Sequence, residues 1–202
     1  MFKNENLMKD YKTYNDSELL PLLREKKPAC DNAFYVLYNR YSSKVNGYCR
    51  FKLNNREASE EIFQETWLKF DGAVKAGKQI ENVPAYLITI ARNLCLNYFN
   101  SVNSQPDFVS GIENIEFNQL SGQFSIENNL ENSELITIIK VAVNNLDDIY
   151  KESFILRNFN ELSYPEIGKI CNETSDCIKK RVRRATEMLK DILKPYINEL
   201  SN

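Results

Sequence analysis

The chain has 202 residues, 43% of them hydrophobic and 27% charged, with a formal net charge of −2. That length fits one large domain or two small ones, and no apolar run approaches the roughly 20 residues that span a bilayer. Histidine is absent, which removes Ser-His-Asp and Cys-His nucleophilic catalysis, and no Gly-rich phosphate loop or dinucleotide turn occurs. The composition therefore predicts a protein that is not an enzyme, with no catalytic residue and no small-molecule substrate or cofactor.

Residues 1–15 mix Lys3, Lys9 and Lys12 with Glu5 and Asp10 and hold no uninterrupted apolar run. No signal or transit peptide is visible there, and a cytoplasmic location is expected. The five cysteines (Cys30, Cys49, Cys95, Cys171, Cys177) are odd in number and irregular in spacing, so neither a structural metal nor a disulfide framework is expected.

Apolar positions repeat at helical spacing nearly throughout, which predicts an all-α protein. A first helix, capped by Asp16 or Ser17, ends near Lys27. A second, capped by Asp31, carries Phe34, Leu37, Tyr38, Tyr41, Val45 and Tyr48 on one stripe. The third spans about Arg56 to Ala76, with Ala58, Ile62, Phe63, Trp67 and Phe70 inward. It turns Glu57, Glu60, Glu61, Gln64, Glu65 and Leu68 outward as an acidic face with one apolar member. Trp67 and the tyrosine stripe share the apolar faces of their helices and read as core.

After a break at residues 77–82, a fourth helix from about Pro84 to Phe99 buries Leu87, Ile88, Ala91, Leu94, Cys95 and Tyr98. Its other side aligns Tyr86, Thr89, Asn93, Asn97 and Asn100 as an uncharged polar face, with Arg92 alongside. Amides and aromatic rings suit hydrogen bonding and stacking with exposed bases better than they suit mere solvation. Residues 16–100 thus form one bundle behind an N-terminal extension, 1–15.

Periodicity then fails over residues 101–132, which are rich in Asn, Ser, Gln and Glu. From Ser101 to Glu134 there are six carboxylates and no Lys or Arg. This stretch predicts a flexible acidic linker. A smaller helical domain follows over 133–198, with helices from Ser133 to Val143, Asp147 to Asn158, Ser163 to Cys171 and Thr174 to Lys194.

Ser163-Tyr164-Pro165-Glu166 is a capping box with Pro in the first turn, and Leu162 can staple onto Ile167. Asn172 tolerates the left-handed backbone of a tight turn, and Thr174 or Ser175 can cap the next helix. Two helices so close must cross steeply, as in a helix-turn-helix. In the second, Ile178, Val182, Ala185, Leu189 and Ile192 point inward, leaving Lys179, Lys180, Arg183 and Arg184 outward. Between Ser175 and Lys190 six basic residues stand against Asp176 and Glu187, the charge footprint of a duplex-binding helix.

These residues resemble a known family. Asp31 to Tyr38 (DNAFYVLY), Glu60 to Trp67 (EEIFQETW) and Pro84 to Leu94 (PAYLITIARNL) are similar to the second conserved region of bacterial sigma factors. Residues 146–193, with LSYPEIG at 162–168 and IKKRVRRA at 178–185, resemble the fourth. The order and the missing third region are those of the extracytoplasmic-function (ECF) group of the sigma-70 family, and the likeness covers about three quarters of the chain.

The resemblance implies an alternative sigma factor, a subunit that directs core RNA polymerase to promoters. It implies that the face with Glu57, Glu60, Glu61, Gln64, Glu65 and Leu68 docks on the beta-prime clamp, with the beta flap as a further polymerase contact. Asn82, Val83, Pro84, Tyr86, Thr89, Arg92, Asn93 and Asn97 fall where minus-ten DNA is opened and its extruded bases are held. Thr174, Ser175, Lys179, Lys180, Arg183 and Arg184 fall on the helix that enters the major groove of the minus-35 element. An anti-sigma factor is an implied partner, and the acidic linker resembles the family's connector toward the RNA exit path.

Several residues depart from the family's pattern. Glu173 replaces a common apolar residue, Asn172 a frequent Gly and Cys177 a frequent Thr, so promoter sequence does not transfer. Arg92 is the only basic residue between Gln79 and Ile139, which predicts weak duplex binding by the free protein. A stand-alone helix-turn-helix regulator would account for the C-terminal domain alone and would need a dimerisation surface and a ligand or receiver domain, neither of which is identifiable.

Overall fold

The computed structural model describes residues 11–53, 55–103, 138–139 and 141–200. These are helices joined by short connections, with no strand among the described residues. They divide into two compact units, within residues 1–112 and 113–202. The acidic linker expected over 101–132 and the helix start expected at Ser133 lie outside the described residues, apart from positions 101–103, which belong to a helix.

Unit one holds α1 (Asp16–Leu22), α2 (Ala29–Lys52), α3 (Arg56–Lys75) and α4 (Val83–Asn103). The cap of α1 is Asn15 rather than Asp16 or Ser17. Asn15 Oδ1 accepts from the Glu18 amide at 3.1 Å and Glu18 Oε2 accepts from the Asn15 amide at 2.7 Å, a reciprocal box that uses both orphan donors. Asp16 is committed elsewhere, to Arg40 at 2.9 Å and the Tyr41 hydroxyl at 2.5 Å, which ties α1 to α2. Burial and the Asp16 carboxylate together push the Tyr41 hydroxyl well above its ordinary pKa. The helix stops at Leu22, short of Lys27.

Nor does Asp31 cap α2. That helix starts two residues earlier at Ala29, behind Pro28, and Asp31 lies in its first turn, where a carboxylate favours the helix dipole. α4 continues to Asn103, beyond the expected end at Phe99.

α2 packs against α1, α3 and α4, and α3 packs against α4. The core is aromatic at its centre. Trp67 lies 5.0 Å from the Tyr38 ring, 5.6 Å from Phe34 and 5.8 Å from Phe70, in tilted or edge-on geometry. Leu37, Tyr48, Phe70, Leu87, Ile88 and Ala91 are buried around it, whereas Phe63 is only half-buried. Arg24, just past α1, donates to the Val74 carbonyl at 2.8 Å and the Lys78 carbonyl at 3.3 Å, closing the C-terminal end of α3.

Unit two holds a helical stretch within 138–144, then α5 (Asp148–Asn158), α6 (Tyr164–Cys171) and α7 (Ser175–Leu200). Its core is Leu146, Ile155, Leu156, Leu162, Ile167, Ile178, Val182, Ala185 and Leu189. Ile192, expected on the inward stripe of α7, is exposed. No helix among the described residues is long and apolar enough to cross a membrane.

Cys49 and Cys95 are fully buried on α2 and α4. The hydrogen bond between the two thiols, together with burial, holds Cys49 protonated far above its usual range. Cys30, Cys171 and Cys177 are half-exposed. A thiol reagent should therefore label these three in the native protein, and reach Cys49 and Cys95 only after denaturation; mass mapping of the labelled peptides checks this.

At Gly168 on α6, an added Cβ would fall 2.7 Å from the Glu173 carbonyl oxygen, backbone that cannot swing aside. Gly168→Ala should destabilise unit two by about 1–3 kcal/mol, the usual overpacking cost. The loss is expected in far-UV circular dichroism, while the fluorescence transition of Trp67, the only tryptophan and a member of unit one, should stay unchanged.

Candidate functional site

Three surfaces carry the residues singled out from the sequence. On α3, the inward turn of Trp67 and Phe70 leaves Glu57, Glu61, Gln64 and Leu68 in one exposed stripe at helical spacing. Leu68 is 74% exposed, well beyond any other large apolar side chain among the described residues. Glu60 and Glu65 flank the stripe, and both are paired internally. Glu60 Oε1 accepts from Arg56 Nε at 2.9 Å and lies 3.6 Å from Arg50, and Glu65 lies 3.2 Å from Lys69. The Arg56 hydrogen bond, with Arg50 behind it, holds the Glu60 carboxyl below the ordinary carboxylate range. The unspent acids are Glu57 and Glu61, which have no ion-pair partner among the described residues.

The second surface is the start of α4 and its polar side. Asn82 Oδ1 accepts from the Ala85 amide at 2.8 Å, so Asn82 caps this helix. Val83 is 1% exposed and belongs to the core, which removes it from any contact surface. Pro84, Tyr86, Thr89 and Arg92 are half-buried, and Asn93 and Asn97 are exposed on the same side. Thr89 donates its hydroxyl to the Ala85 carbonyl at 2.7 Å. The Tyr86 ring has Phe70 behind it at 6.4 Å and the Lys78 ammonium over it at 5.0 Å.

Sequence reading missed Lys78. It lies one residue outside the span in which Arg92 stands alone, and only the loop, pinned by Arg24 through the Lys78 carbonyl, brings its charge over Tyr86.

The third surface is the helix-turn-helix. Glu166 Oε2 accepts from the Ser163 amide at 2.7 Å and Ser163 Oγ from the Glu166 amide at 3.4 Å, completing the expected capping box. Asn172 takes the left-handed conformation (φ 56°, ψ 47°), and Thr174 Oγ1 accepts from the Cys177 amide at 3.2 Å at the start of α7. Arg181 turns back to Glu173 at 2.5 Å, which explains how a carboxylate is accommodated in that turn. Thr174, Lys179, Lys180, Arg183 and Arg184 are exposed and Ser175 half-buried.

A cap, half-buried side chains and a core position are thus mixed within 82–86. Asn82→Ala should cost unit one about 1 kcal/mol, whereas Asn82→Ser should retain most of the cap. Urea unfolding followed by Trp67 fluorescence distinguishes them.

One bundle with an acidic, leucine-bearing helix and an amide-rich helix, plus a helix-turn-helix with a basic second helix, defines a two-domain transcription initiation factor. Comparison with known proteins agrees. The sigma-70 region 2 model matches residues 37–104 and the sigma-70 region 4 model residues 136–189. The chain is 26% identical over 170 residues to the ECF RNA polymerase sigma-E factor of Haemophilus influenzae, covering 82% of this chain and 89% of that protein. It is 25% identical over 179 residues to the ECF sigma factor SigW of Bacillus subtilis, covering 85% and 95%.

Among solved structures, the Bartonella quintana sigma factor RpoE, crystallised with the anti-sigma factor NepR, gives a TM-score of 0.60 at 22% identity, covering 80% of this chain and 96% of that one. CnrH, solved with the cytosolic domain of CnrY, gives 0.56 at 14% identity, covering 95% and 97%. At such identities the two structures speak for the fold. The chain belongs to the sigma-70 family, in its ECF group. It is an alternative sigma factor, which directs promoter-specific transcription.

Proposed function

We propose that the three surfaces divide the work of initiation among themselves. The observation that carries this reading is the separation, within unit one, of an acidic stripe on α3 from an amide-rich side on α4, with the basic helix kept to unit two.

The α3 stripe docks core polymerase. Glu57, Glu61 and Gln64 suit a basic or amide-bearing helix of the clamp, and Leu68 supplies the apolar anchor that such interfaces place near their centre. Glu60 and Glu65 act at second hand, through the charges they balance on Arg50, Arg56 and Lys69. Tyr86, Thr89, Arg92, Asn93 and Asn97 hold the opened minus-ten strand, with Asn82 and Pro84 shaping the helix start. An unpaired base costs a few kcal/mol to extrude, offset by stacking on a ring such as Tyr86 and by hydrogen bonds to its edges. Lys78 adds a second phosphate-binding charge to Arg92, the single basic residue of α4.

The α7 residues Lys179, Lys180, Arg183 and Arg184, with Thr174 and Ser175 at the helix start, enter the major groove upstream. The protein works without catalysis of its own, in the cytoplasm, with sigma region 2 over 16–100 (to Asn103 where α4 continues), a connector over 101–132 and sigma region 4 over 133–198. An anti-sigma protein is a further proposed partner, since a similar fold was solved with one bound.

The test is transcription from a promoter library by core polymerase with and without this chain. Chain-dependent start sites sharing two spaced elements support the reading, and failure to bind core polymerase overturns it. Within that assay, Leu68→Ala and Glu61→Lys should each weaken core binding about tenfold, roughly 1.4 kcal/mol, while Glu60→Gln should change it far less because its charge is already spent on Arg56.

A further inference from the structure

Arg183 and Arg184 each stand three or four residues from both Lys180 and Glu187 along α7, so the four share one side of the helix. The buried residues Ile178, Val182, Ala185 and Leu189 occupy the other. Glu187 is therefore a carboxylate set inside the basic face. Its Oε1 accepts from Arg183 Nε at 2.9 Å and its Oε2 lies 3.8 Å from Arg184 Nη1. One acid thus holds two guanidinium groups, while Lys179 faces Asp176 at 3.4 Å and Lys180 has no partner among the described residues.

An acid on a surface that meets phosphates works against affinity. A neutralised phosphate contributes a salt slope of about 0.9 in duplex binding, and Glu187 cancels part of the charge that would supply it. The geometry gives a compensation. Arg183 is gripped at Nε alone, so the edge formed by its two Nη groups stays open, and its side chain is 82% exposed. That edge is the fork that fits the two acceptors of guanine or the oxygens of a phosphate. Holding Nε fixes the plane of the fork and lowers the ordering cost of a two-point contact, which a mobile arginine would bear in full.

We propose that Glu187 is a specificity-determining residue of the upstream-element helix. It orients Arg183 for reading a base edge and damps the sequence-independent attraction of Arg183 and Arg184 for the duplex. This inference rests on the assignment of α7 to the upstream element.

The experiment uses holoenzyme assembled from core polymerase and the full chain. A library randomised over the upstream element first defines the sequences that wild type selects. Binding is then measured to a selected duplex and to its scrambled counterpart, at two salt concentrations. Glu187→Gln should tighten binding to the scrambled duplex and steepen its salt slope by up to about 1, so that selectivity falls roughly five- to tenfold, in the range of one good bidentate pair. Arg183→Lys, which keeps the charge but loses the fork, should lower selectivity without tightening the scrambled complex. Lys180→Gln should weaken both duplexes alike. Unchanged selectivity in Glu187→Gln, with a wild-type far-UV melting curve, would overturn the proposal. Absence of chain-dependent start sites with wild type would instead overturn the underlying assignment of function.

Discussion

The burial of Trp67 between Phe34, Tyr38 and Phe70 is the contact on which unit one depends. An aromatic cluster of this size removes several hundred square ångströms of apolar surface from water, at about 25 cal/mol for each. It thereby sets the rotation of α3 about its own axis. Once that rotation is set, Glu57, Glu61, Gln64 and Leu68 can only face outward. The same cluster reaches α4 through Phe70 and Tyr86. The stripe proposed to dock polymerase and the ring proposed to hold a base are thus referred to one buried indole. The Trp67 Nε1 donor has no acceptor among the described residues, a cost that the packing of the ring outweighs.

Unit two solves a different problem. A helix-turn-helix needs its two helices close enough for the second to project, and closeness is limited by backbone volume. Gly168 removes the Cβ that would strike the Glu173 carbonyl, and Asn172 accepts a left-handed conformation that most residues avoid. Arg181 then satisfies Glu173. The turn is held by backbone sterics and one ion pair, with the paired helix ends capped by Ser163 and Thr174.

Electrostatics on both units follow one pattern, in which charge is abundant but largely spoken for. Glu60 is engaged by Arg56 and Arg50, Glu65 by Lys69, Lys179 by Asp176, and Arg183 and Arg184 by Glu187. Exposed pairs of this kind contribute at most about 1 kcal/mol each to stability. Their larger effect is on which charges are left to meet a partner. A simple count of charges along α3 or α7 overstates what either helix presents.

Amino-acid order alone was enough for the helical class, the division into two units, the capping box at Ser163 and most of the inward stripes, Phe63 and Ile192 excepted, because helical periodicity and capping are local rules. It also carried the two motifs by which the family is recognised. Local rules failed where a side chain had a distant partner. Asp16 left the cap of α1 to Asn15 because Arg40 and Tyr41, a full helix away, claim it. Val83 is core rather than surface because the bundle closes over it. Lys78 comes to Tyr86 only because Arg24 anchors its loop. The ion pairs within α3 and α7 stand three or four residues apart and so follow from spacing, but the approach of Arg50 to Glu60 and of Arg181 to Glu173 was decided by tertiary structure, since spacing along one helix does not reveal a neighbour that only packing or a turn brings close.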